Sequence, residues 1–142
     1  MTHQLRKLIS AVALTAAIGT ASLRGQLIHR AVVSIPVEFE AHGRVLPAGP
    51  YSLKPLDVPG MIVLMNDDNG QSMFLHALIP ADGVGHESKL LFHRYGNTYF
   101  LSEIWLPWER DGHRLVPGKK ELELQAHTRV PDRETLIVVA RK

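Results

Sequence analysis

Apolar residues along this chain recur mostly at every second position or in short runs, the periodicity of strands rather than helices. From Lys89 to Leu106 the sequence KLLFHRYGNTYFLSEIWL sets two such runs around Gly96-Asn97. That arrangement predicts a β-hairpin closed by a two-residue loop. Tyr95 then pairs with Thr98, Arg94 with Tyr99, His93 with Phe100 and Phe92 with Leu101. Strict alternation puts Leu91, His93, Tyr95, Thr98, Phe100, Ser102 and Ile104 on one face. Leu90, Phe92, Arg94, Tyr99, Leu101, Glu103 and Trp105 occupy the other. Neither face is polar throughout, so both are expected to be covered.

The same reading extends along the chain. Ala31 to Glu40 (AVVSIPVEFE) predicts one half-buried strand with Val33, Ile35, Val37 and Phe39 inward, and Pro36 marks an edge or a bulge. Ala41 to Arg44 is a turn. In Val45 to Lys54, Pro47 and Pro50 restrict the backbone while Gly49 allows a positive φ between them, so the chain turns and re-enters a strand at Tyr51. Asp57 to Gly60 and Asn66 to Gly70 are turns, and Met61 to Ile79 reads as a second hairpin. Pro80 to Ser88 is a loop, and Pro107 to Pro117 an irregular connection. Lys119 to His127 (KKELELQAH) predicts a short helix. Glu134 to Ala140 (ETLIVVA) is an unbroken apolar strand, of the kind that belongs in the middle of a sheet or packed on both faces. Six or seven short strands with regular turns and no internal repeat give an all-β fold, a single antiparallel β-sandwich or small open barrel with a short helix near 119–127.

The N-terminus follows a different plan. A polar start carrying Arg6 and Lys7 precedes the uncharged apolar run Leu8 to Ile18, and Gly19-Thr20-Ala21 adds small residues. These are the three parts of a secretory signal peptide, and the run is about half of the ~20 residues needed to span a bilayer. Residues 1–21 are therefore expected to be removed, with cleavage after Ala21, or alternatively after Gly25. Residues 22–30 form a linker and 31–142 a single β domain, secreted or periplasmic and without a membrane span. Loss of Arg6 and Lys7 leaves 14 basic against 14 acidic residues, which gives no basic stripe for nucleic acid. The chain has no cysteine, so its fold is held without disulfides, and thiol catalysis and cysteine-ligated zinc are excluded.

Candidate chemistry concentrates on the hairpin. Arg94 and Glu103, placed on one face with Tyr99 and Trp105, read as a ligand-binding pair in an aromatic-walled pocket; the competing reading is a structural ion pair with the arginine stem on a ring. Trp105 and Trp108 are the best stacking residues for a sugar, with burial in the core as the alternative. Seven histidines follow Ala21: His29, His42, His76, His86, His93, His113 and His127. None has the spacing of a known metal motif; a site built from His76, His93 and Glu103 is geometrically conceivable. Ser102 and His93 share a face without a nucleophile elbow. The pairs Glu38/Glu40 and Glu121/Glu123 read as solvated edges rather than a catalytic cleft.

The segments IPVEF (35–39), LPAGPY (46–51) and FHRYGNTYFLSEIW (92–105) resemble the landmarks of a family of small secreted bacterial proteins to which no activity is assigned. Pro50 departs from the small polar residue expected in the second segment. The resemblance implies export and an all-β domain and brings no catalytic residues, cofactor or metal site. The expectation is thus a non-catalytic binding or structural module that engages a glycan, a small apolar ligand or a protein partner through Arg94, Tyr99, Glu103, Trp105 and Trp108. A metal-assisted hydrolase using His76, His93 and Glu103 is the alternative. Donation of an edge strand, 31–40 or 134–140, to an assembly is the third reading.

Overall fold

A computed structural model describes residues 29–77, 79–81, 88–128 and 134–139. The expected export signal, its cleavage positions and most of the 80–88 loop lie outside the described residues. The order of elements is β1 (Ala31–Ile35), β2 (Phe39–Ala41), β3 (Arg44–Leu46), β4 (Gly49–Pro55), β5 (Met61–Asn66), β6 (Ser72–His76), β7 (Ile79–Pro80), β8 (Lys89–Tyr95), β9 (Thr98–Trp105), β10 (His113–Arg114), α1 (Lys119–His127) and β11 (Glu134–Val139). Among the described residues the fold is an all-β sandwich with one short helix, and neither sheet closes into a barrel. The first sheet runs β1-β4-β5-β6 and the second β11-β8-β9-β10-β7, with β2 joined to β3 and, in parallel, to β9.

Residues 31–40 do not form one strand. Pro36 offers no N–H to continue a ladder, and the chain uses the break to change sheets. β1 pairs with β4 in the first sheet, whereas β2 pairs with β3 and β9 in the second. Alternation survives the crossing, since Val33, Ile35 and Phe39 are all buried. At the centre Phe39 bridges the layers: its ring lies 5.4 Å from Tyr51 of the first sheet and 5.3 Å from Phe92 of the second, edge-on to both. The turn before β4 behaves as expected, with Gly49 at φ 150°. The Tyr51 hydroxyl donates to the Pro47 carbonyl at 2.6 Å, which fastens that turn to the core. Burial raises the Tyr51 pKa above its ordinary value, and this keeps the donor proton in place.

The β8–β9 hairpin follows the expected register from Tyr95↔Thr98 to Phe92↔Leu101 and then slips by one residue, so that Leu91 faces Glu103, Leu90 faces Ile104 and Lys89 faces Trp105. Ser102 is the extra residue of a β-bulge. The connection 107–117, expected to be irregular, contains the two-residue strand β10. β10 joins β9 on the edge that it shares with β2. The helix is found at Lys119–His127 as expected. β11 takes no central place: it is terminal in the second sheet, beside β8, and close to β1 of the first.

Candidate functional site

The bulge decides which side chains meet. Without it, Arg94 and Glu103 would share a face. With it, Glu103 and Trp105 move to the outer face, while Arg94 stays on the side of Phe92. Arg94 donates from Nε to the Gly96 carbonyl at 2.6 Å and lies 5.7 Å over the Tyr99 ring. Glu103 instead accepts from Trp105 Nε1 at 3.1 Å and faces Arg114 at 3.3 Å. The Trp105 indole is buried, with the Lys89 ammonium 5.3 Å from its ring. Trp108 is half-buried against the core, 5.1 Å from His29. The five residues expected to form one pocket are therefore distributed over two faces and the following turn.

The histidine set is not assembled either. His76 is next to His42, His93 faces Glu121, and Glu103 is engaged with Trp105 and Arg114. Among the described residues no three His, Asp or Glu side chains gather where they could hold a metal ion.

A different site takes shape on the outer face of the second sheet. On β2, Phe39 and Ala41 face the core, so Glu40 between them turns outward, and the parallel pairing sets it opposite Phe100 of β9. The helix α1 lies over this face. Its first turn brings Glu121 against β8, where Oε1 accepts from the Tyr95 hydroxyl at 3.4 Å and lies 3.5 Å from His93 Nδ1. The Tyr95 hydroxyl in turn accepts from Gln125 at 2.7 Å. The helix docks through polar residues: Glu121 is 5% exposed, while Leu122 is 51% exposed. Lys120 reaches down to Glu40 Oε2 at 3.0 Å.

Between the β2–β3 turn, β9 and the start of α1 runs a cleft of about 490 Å³. Phe100, Leu101 and Leu115 supply its apolar lining, and Glu40, His42, Lys120 and Glu121 its principal polar groups. Glu40 is 6% exposed, so both carboxylates are buried although the sequence reads them as solvated edges. A smaller depression, about 120 Å³, holds Tyr99 with Glu38, Val45 and Lys120. Alternation puts Glu40 on the outward face, but neither Glu40 nor Glu121 carries a local sequence signal of burial, because the cover comes from elements distant in the chain.

No protein-family model, curated protein or solved structure matches the chain. Among the described residues no helix is long and apolar enough to cross a membrane.

Proposed function

We propose that this chain is an exported binding module whose cleft beneath α1 takes a small organic cation with an apolar body. One observation carries the reading: two carboxylates, each more than nine-tenths buried, line the same cleft as the apolar side chains of Phe100, Leu101 and Leu115. A buried carboxylate is costly unless a cation or hydrogen-bond donor meets it. In the free protein Lys120 meets Glu40 and the Tyr95 hydroxyl meets Glu121. A ligand ammonium satisfies the same requirement, and its methylene groups lie on the apolar lining. Export is supported by the N-terminal charge and hydropathy pattern.

NMR titration with butylammonium and 1,5-diaminopentane, with butyrate as control, tests the binding reading. The cations are expected to shift the resonances of Phe100, Leu101 and Leu115. Glu40→Gln should weaken their binding by about tenfold or more, the worth of a hydrogen bond to a charged group. No response to either cation, or an equal response to butyrate, overturns the assignment. N-terminal sequencing of the secreted or periplasmic product tests export, with Ser22 expected as the first residue.

A further inference from the structure

We infer that His42 and His76 form an acid-released latch at the rim of this cleft. The latch rests on the reading above only for its consequence, because its existence is tested without any ligand.

The geometry begins with β6, the last strand of the first sheet. The Asn66 N–H donates to the Gln71 carbonyl, which fixes Leu64/Met73 and Ile62/Leu75 as the pairs that exchange hydrogen bonds. Ser72, Phe74 and His76 therefore direct their backbone polar groups away from β5, toward the sheet's open side. At His76 the partner comes from the other sheet: its N–H donates to His42 Nε2 at 2.9 Å. His42 is at the tip of the β2–β3 hairpin, with φ 46°, a region that disfavours residues with a side chain. It also lines the cleft. One imidazole thus ties the turn that follows Glu40 to the edge of the opposite sheet.

A nitrogen that accepts a hydrogen bond carries no proton, so the latch requires neutral His42 with its proton on Nδ1. Protonation turns the acceptor into a donor facing a donor. The His76 ring, 6.4 Å away, adds repulsion once it is charged. Burial first, and then the charge of His76, lower the His42 pKa below its ordinary 6.5, and together they outweigh the hydrogen bond with the His76 backbone, which acts in the opposite direction. The exposed Arg44 follows the turn directly and puts a positive charge on the same hairpin. Across the cleft Glu40, Glu121 and Glu123 pull the other way, but Lys120 and Lys119 lie 3.0 and 3.9 Å from Glu40 and Glu123, and Glu121 is held by Tyr95. A histidine with a lowered folded pKa contributes stability above its unfolded value. That contribution is lost as pH falls through the folded value. The latch is closed in neutral medium and open in acid, where the hairpin tip is released and the cleft wall with it.

The test follows the His42 ring titration and the protection factor of the His76 amide by NMR on the full chain from pH 8 to pH 5. His42 should titrate below 6.5. His76 protection should fall about threefold to tenfold across that titration, the worth of one hydrogen bond. His42→Asn, which tolerates the left-handed turn, should give low His76 protection independent of pH. Titration at or above the ordinary value, or His76 protection that ignores the His42 titration, overturns the latch; both are read on the unaltered chain. Cation binding that persists after such a failure leaves the cleft standing. A working latch with no cation binding removes the cleft reading alone.

Discussion

At the scale of the residue, Gly112 illustrates how a missing side chain shapes a surface. A Cβ built there would lie 2.6 Å from Cδ2 and 2.7 Å from Cζ2 of Trp105, inside van der Waals contact. The indole is buried because the backbone at 112 comes down on it, which makes Trp105 a packing residue in this fold. Gly112→Ala is expected to cost about 2–3 kcal/mol through overpacking. Gly96 presents the opposite case. Space around it is open, and only its φ of 61° resists a side chain. Gly96→Ala should cost about 1 kcal/mol. Denaturant midpoints compare the two, and near-ultraviolet circular dichroism separates the causes, since only the first substitution disturbs an indole. Equal losses with an unchanged tryptophan signal would mean that the close approach at 112 relaxes freely.

At the scale of the element, the bulge at Ser102 marks where local sequence stops determining structure. The turn at Gly96-Asn97 and the pairings back to Phe92↔Leu101 were legible because loop length fixes register locally. The slip beyond them was not. It brings Ile104 opposite Leu90, both buried, and Glu103 opposite Leu91, an arrangement that alternation alone cannot announce. Its cause is distant: the Leu115 N–H donates to the Ser102 carbonyl at 2.9 Å, and β10 docks on Glu103 and Ile104. The same limit applies to the break at Pro36, which composition reveals although the change of sheet does not. It applies again to α1, whose extent was readable while its docking through Glu121 rather than Leu122 was not. Register arithmetic gives a prediction. Deleting Ser102 removes the extra residue and leaves Ile104 opposite Leu90, so the variant should fold with the same core. It should lose about 1–3 kcal/mol for the orphaned Leu115 amide. Cross-strand nuclear Overhauser contacts between Leu90 and Ile104 check the register and urea unfolding the cost; loss of those contacts would show that register depends on the bulge itself.

At the scale of the molecule, the second sheet is the middle of three layers, with the first sheet against its inner face and α1 over part of its outer face. The inner contact is apolar, centred on Phe39, Tyr51 and Phe92. The outer one is polar, built on Glu40 with Lys120 and on Glu121 with Tyr95 and His93. Apolar contacts tolerate neutral substitution better than ionic ones, because removing one member of a buried pair leaves the other charge uncompensated. Lys120→Met should therefore destabilise the protein by about 1–2 kcal/mol, less than the 3–5 typical of a fully buried pair, because the lysine is more than half exposed and water replaces part of its effect. Glu40→Gln in the same chain should recover most of that loss, since it removes the charge that Lys120 had neutralised. A double-mutant cycle by urea unfolding measures the coupling. A near-zero coupling would detach the helix from Glu40 energetically and leave Tyr95 and Glu121 as its hold on the sheet. A coupling above 1 kcal/mol means that the charge at the cleft wall also secures the third layer, so a ligand cation that replaces the Lys120 ammonium must leave α1 held through Glu121 and Gln125, on Tyr95 and His93.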